Sequence, residues 1–165
     1  MENLINVYNG IPSRASIAKV KGYDVGISPE ATYCTSYVIH HTTRKEGYIG
    51  HFDNGGGEDA LKKIQQKLRE ELSPAISEYG GQSGNLEIII AGTNIRKALS
   101  LDHKTKTKEF EIELRRTVLE VFRRNFPHAH YQLMFNDGSS PSQCILYVPK
   151  HDIILVVDDS KAWDI

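Results

Sequence analysis

The stretch Thr32–Asp53, TYCTSYVIHHTTRKEGYIGHFD, decides how the rest of the chain is read. Its first ten residues, Thr32–His41, are rich in Thr, Tyr, Val and Ile, side chains that suit a pleated, half-buried surface. The polar run Thr42–Arg44 interrupts them, and Gly47–Asp53 then resumes a strand-like pattern. Two such segments joined by a short polar connection form an antiparallel hairpin. Opposed residues in a hairpin are equidistant from the centre of the turn. A loop over His41–Arg44 therefore sets Cys34 directly across from His51, on one face of the sheet, with Cβ atoms about 4.5–5.5 Å apart.

Working outward, the segment before the hairpin reads as a strand over Ala18–Ile27, stopped by Ser28 and Pro29. Residues up to Ile17 form a Gly/Pro-punctuated lead-in, an arm or an edge strand. After the hairpin, Asn54–Gly57 breaks the sheet and opens a helix. Leu61, Ile64, Leu68 and Leu72 then recur at helical spacing in a charged background. Pro74 ends or restarts that helix, Gly80–Gly84 is a loop, and Leu86–Ala91 is a buried strand. A second long helix spans Thr107–Phe126, with Phe110, Leu114, Val118, Val121 and Phe122 inward, and Asn125 and Pro127 at its end. Strands follow at His130–Phe135, Gln143–Val148 and Ile153–Val157, the last two joined through Pro149–Asp152. The order β-β-β-α-β-α-β-β-β implies a single α+β domain over residues 1–165. Its architecture is a layered sandwich of mixed and antiparallel sheets, with two amphipathic helices packed on one side.

Composition narrows the function classes. Twenty basic residues stand against 21 acidic ones, for a net charge of −1, so the chain lacks the basic excess that nucleic acid demands. Basic residues at Lys104–Lys108 and Arg115–Arg124 are interleaved with acids, as on a solvated helix face. No apolar run has membrane-spanning length, so membrane insertion is not expected. Met1–Arg14 lacks the layout of a signal peptide. Cys34 and Cys144, 110 residues apart, read as reduced thiols. A cytoplasmic protein is the expectation, with export by a route that reads no classical signal as the alternative.

Cys34 and His51 are the candidate catalytic pair. A thiolate is the nucleophile, a free cysteine has a pKa near 8.5, and a neighbouring imidazole can take its proton. The bland reading of a cysteine in a strand is packing. His40 and His41 also suggest a metal site with His51 and Asp53. Adjacent strand residues point to opposite faces, however, and the spacing fits no standard ligand set. His41 is assigned to the turn, Cys144 to the core, and Trp163 to packing or a partner contact. Thr32, Tyr33, Asp53 and Asn54, which flank the pair, are the candidate substrate-binding residues, although Asp53 serves equally well as a helix cap.

The segments Ser28-Pro-Glu-Ala-Thr-Tyr-Cys34 and Glu46-Gly-Tyr-Ile-Gly-His51 resemble the active-site region of the bacterial chemoreceptor glutamine deamidases, the CheD family. That family has a hydroxyl residue six before the cysteine and a histidine seventeen after it, as here. Ser28 stands where the family has threonine. The layout beyond is similar too: a helix, the strand and glycine of Leu86–Gly92, a second helix, a Gly-containing loop at Asp137–Ser140, and the closing hairpin Gln143–Asp158. The chain departs from the pattern at Thr32-Tyr33, where the family has Gly-Ser. It also departs at Phe52–Gly55 and at Gly92-Thr93, where the family has two glycines. The same Cys–His core occurs in bacterial toxins and effectors that deamidate host proteins.

The resemblance implies a cysteine-dependent protein glutamine deamidase acting on a protein substrate through a thioester, without metal or organic cofactor. Ser28 would orient His51 as the third member of a triad, and backbone N–H groups at Tyr33–Thr35 would form the oxyanion hole. A CheD-like binding or adaptor protein without turnover is the alternative.

Overall fold

The computed structural model describes residues 2–7, 16–29, 31, 34–54, 60–81, 84–93, 108–137 and 142–158. The central hairpin consists of β4 (Thr35–His41) and β5 (Glu46–Phe52), and both strands are buried along nearly their whole length. They lie in a five-stranded sheet with β2 (Ile17–Lys21), β6 (Leu86–Gly92) and β7 (His130–Phe135), in the order β2-β5-β4-β6-β7. A second sheet holds β1 (Leu4–Asn6), β3 (Val25–Ser28), β8 (Gln143–Val148) and β9 (Ile153–Asp158), in the order β1-β3-β8-β9. Each sheet is mixed: β6 pairs with β7, and β1 with β3, in parallel, while the other pairs are antiparallel.

Three helices cover the larger sheet: α1 (Ala60–Glu71), α2 (Ser73–Tyr79) and α3 (Lys108–Asn125). The first two arise because Pro74, lacking a donor N–H, suits the opening turn of a helix and restarts the chain after Leu72. The apolar stripes act as the spacing predicts. Ile64, Leu68 and Leu72 meet Leu114, Val118 and Phe122 over Tyr37, Ile39, Ile88 and Ile90 of the sheet. Full burial of each such aliphatic side chain contributes roughly 1.5–3 kcal/mol. The opposite face of the same sheet packs through Val20, Val38, Ile49 and Ala91 against Ile145 and Tyr147 of the second sheet. The molecule is therefore a helix–sheet–sheet sandwich, with a core on either side of β4 and β5.

Two local expectations change. The single strand expected over Ala18–Ile27 is two, β2 and β3, which belong to different sheets. Gly22, at φ 54°, turns the chain between them, so the segment crosses from one layer to the other. The hairpin loop is Thr42–Lys45 rather than His41–Arg44, and His41 is the last residue of β4, paired with Glu46. The closing residue Lys45 takes φ 53°, which lets the turn finish one residue later. The lead-in contains a short edge strand, β1.

Candidate functional site

The shifted loop moves every pairing in the hairpin by two. Ser36 sits directly across from His51, and Thr35 pairs with Phe52. Cys34, one residue ahead of β4, is then the diagonal neighbour of His51 rather than its opposite. Diagonal pairs on one face stand about 7–8 Å apart at Cα, within reach of longer side chains.

The two sheets come together at this point for an identifiable reason. A Cβ on Gly26 of β3 would lie 3.0 Å from Val20 Cγ2 and 3.1 Å from Ile49 Cγ2. Glycine here lets β3 approach β5 closely, and two residues further along both strands Ser28 meets His51. Ser28 Oγ is 3.1 Å from His51 Nδ1, 2.7 Å from Ser36 Oγ and 3.4 Å from the Gly50 carbonyl. Ser36 Oγ is itself 3.3 Å from Nδ1. All three side chains are buried, His51 being 1% exposed.

Cys34 is held by its backbone. Its carbonyl accepts the Thr93 N–H at 2.9 Å, and a Cβ on Gly92 would approach that same oxygen to 2.3 Å. Gly92 and Thr93 both adopt positive φ, 84° and 62°. Glycine does so freely, whereas a β-branched residue is strained there. The Thr93 hydroxyl is anchored 3.0 Å from Thr35 Oγ1, which donates to Asn54 Oδ1 at 2.8 Å. Arg115 of α3 donates to the carbonyls of Thr93 and Asn136 at 3.2 and 2.7 Å and pairs with buried Glu111 at 3.1 Å. Gln143 closes the corner, its side-chain carbonyl accepting the Gly92 N–H at 2.8 Å.

Of the residues expected to contact substrate, Asp53 is exposed, while Asn54 is 1% exposed and bonded to Thr35 within the framework. Thr32 and Tyr33 lie outside the described residues, as do Gly55–Gly57, Gly138–Ser140 and Trp163. Cys144 is half-buried in β8.

Burial sets the charge state of the pair. It pushes the Cys34 thiol up to about 12, and the negative field of Asp53 adds to the effect. It also pulls the His51 imidazole down to about 4, with Asp53 opposing. The resting site therefore holds a neutral thiol and a neutral imidazole rather than an ion pair. Nearby, burial raises the Glu71 carboxyl to about 7, against hydrogen bonds from Tyr37 and Ser16.

The other histidines stand apart from this site. His40 bonds Tyr147 Oη through Nδ1 and Asp152 Oδ1 through Nε2, both at 2.8 Å. His41, buried on the opposite face, accepts the Arg44 N–H at 3.3 Å and lies edge-on to Tyr79. His40 pairs with Gly47, four residues along β5 from His51, so about 13 Å of strand separates the two histidines. No cluster of three metal-ligating side chains forms among the described residues.

Ser36, Thr93 and Gln143 are the site residues that the sequence pattern did not single out. Only Ser36 carried a signal: a hydroxyl two residues from Cys34, on the same face of the strand.

No family model matches the chain, and no curated protein matches it. The resemblance to the CheD family therefore rests on the short pattern around Ser28, Cys34 and His51. Among solved structures the chain is similar to the crystal structure of the Bacillus licheniformis hypothetical protein YfiH. The identity is 10% and the TM-score 0.37, over 81% of this chain and 60% of that one. The chain thus spans less than two thirds of that protein's length. No described helix is long and apolar enough to cross a membrane.

Proposed function

We propose that the protein is a cysteine-dependent amidohydrolase that converts glutamine side chains of a protein substrate to glutamate. The observation that carries this reading is the buried contact of 3.1 Å between Ser28 Oγ and His51 Nδ1, one diagonal step from Cys34. A histidine oriented by a hydroxyl beside a thiol is the general layout of an activated nucleophile.

The chemistry follows from the neutral resting pair. His51, uncharged at neutral pH, accepts the thiol proton as Cys34 sulfur attacks the carboxamide carbon. Proton transfer accompanies attack, because a separated thiolate and imidazolium are disfavoured in this buried setting. The tetrahedral intermediate collapses with loss of ammonia, which takes its proton from the His51 imidazolium. Water, deprotonated by His51, then hydrolyses the thioester and releases glutamate and the free thiol. Each turnover consumes one water and yields one ammonia.

The test is ammonia release, with the matching mass increase of about one dalton per glutamine, from a panel of blocked glutamine-containing peptides and unfolded proteins. Cys34→Ser should abolish it, and His51→Ala should lower it by about a thousandfold. Equal turnover in wild type and either variant would sink the reading. A second reading, a binding protein without turnover, draws support from the high thiol pKa, which leaves little thiolate at rest. Alkylation of Cys34 by iodoacetamide in a Cys144→Ser background separates the two. Slower labelling in His51→Ala fits the catalytic pair, and an unchanged rate fits the silent protein.

A further inference from the structure

A serine at a fully buried strand position needs an explanation. Ser36 is 0% exposed, pairs with Ala91 on one side and His51 on the other, and shares its face with Val38. A hydroxyl placed there without a partner is destabilising relative to alanine. Its partners are Ser28 Oγ at 2.7 Å and His51 Nδ1 at 3.3 Å.

Counting donors and acceptors orders this cluster. A hydroxyl offers one donor and two acceptor sites, a carbonyl only accepts, and a neutral imidazole has one nitrogen of each kind. Of the two acceptors facing the Ser28 hydroxyl besides Ser36, His51 Nδ1 and the Gly50 carbonyl, only the carbonyl can accept when Nδ1 carries a proton. The two lone pairs of Ser28 Oγ then face the Ser36 hydroxyl and His51 Nδ1. The arrangement with the most hydrogen bonds inside the cluster has Ser36 donating to Ser28 Oγ and Nδ1–H donating to the same oxygen, three bonds against two when Nδ1 is an acceptor. The proton is thereby placed on Nδ1, and the lone pair on Nε2.

We infer that Ser36 is a positioning residue which, together with Ser28, fixes His51 in the Nδ1–H tautomer and so makes Nε2 the basic nitrogen. The inference rests on the reading of His51 as the base. It extends the expected triad by a residue that touches both Ser28 Oγ and the imidazole. Ser28 is the hub and Ser36 the brace: Ser36 Oγ, 3.3 Å from Nδ1, is a second acceptor for Nδ1–H, and that acceptor is lost without Ser36.

The test reads the tautomer directly. In protein labelled with 15N-histidine, long-range proton–nitrogen correlation at neutral pH distinguishes protonated Nδ1 from protonated Nε2. Loss of one signal set in His51→Asn assigns His51 among the seven histidines. Wild type should show Nδ1–H. Ser36→Ala should reduce the preference by about fivefold to tenfold, the equivalent of one buried hydrogen bond. The double variant Ser28→Ala/Ser36→Ala should abolish the preference, and Ser36→Thr should retain it. An Nε2–H signal in wild type overturns the assignment whether or not any variant folds, and so does an unchanged ratio in a folded double variant. Turnover plays no part in this readout. The correct tautomer with no ammonia release would count against the deamidase reading alone.

Discussion

His40 and His51 occupy the same face of the same sheet on neighbouring central strands, and both are buried, yet they are built for different ends. At the His40 end the chain reverses through tight turns. Gly22, Lys45 and Lys150 are joined by backbone hydrogen bonds, and Lys45 pairs with Asp152. His40 is tied through both ring nitrogens, to Tyr147 and Asp152, which fixes it as a strut between the sheets. At the His51 end, β3, β5, β6 and β7 finish while β4 and β8 begin. His51 is held through Nδ1 by two serine hydroxyls. Burial depresses its basicity, and the residue stays neutral. The comparison teaches that a buried histidine's role is set less by its burial than by what holds its nitrogens.

The sharpest way to break this contrast is to remove each ring in turn. His51→Ala should lower ammonia release by about a thousandfold, the scale of a lost general base. His40→Ala should leave the turnover of the folded fraction within about twofold. Equal losses in both would erase the distinction between strut and base. Stability should rank the other way. His40→Ala strands the buried Tyr147 hydroxyl and opens a cavity, which should cost about 2–4 kcal/mol in urea unfolding. His51→Ala, flanked by two serines that can bond each other, should cost less.

A third test uses pH. His51 has a folded pKa near 4, below its unfolded 6.5, so the unfolded chain binds its proton first. Its contribution is present above 6.5 and is lost as pH falls towards 4, by ~3 kcal/mol in total. Glu71 does the opposite. Its folded value near 7 lies above the unfolded 4.5, so its contribution is present below 4.5 and lost as pH rises through 7. Between pH 4.5 and 6.5 the two slopes oppose each other. Relative to wild type, stability of His51→Asn should fall more steeply with rising pH, and that of Glu71→Gln should rise. Parallel profiles for all three proteins would show that neither shift exists.

The smallest effect is expected at Thr93. Thr93→Val keeps the strained φ but loses the bond to Thr35, and should destabilise by about 1 kcal/mol. Thr93→Gly loses the same bond but relieves the strain, and should lie closer to wild type. The reverse order in thermal melts would show that the positive φ at Thr93 carries no cost.

Much of the fold was legible because periodicity is local. The stripes of α1 and α3 bury the residues that their spacing predicts, whereas β4 and β5, read as a half-buried surface, are buried on both faces. The other departures lie where one residue's φ decides the path, at Gly22 and Lys45, since a positive φ at a lysine leaves no composition signal. That one turn shifted the register by two and exchanged Cys34 for Ser36 as the partner opposite His51. Thr93 and Gln143 were not legible at all, because each acts on the Cys34 corner from a distant part of the chain.

The sequence alone determined the element types, the helix faces and the candidates Ser28, Cys34 and His51, because residue type and spacing carry that information. Only the tertiary structure decided that Ser28 reaches His51 from a different sheet, and it did so through the missing side chain of Gly26. It also decided that the thiol and the imidazole rest uncharged, because desolvation belongs to the packed core and not to either residue.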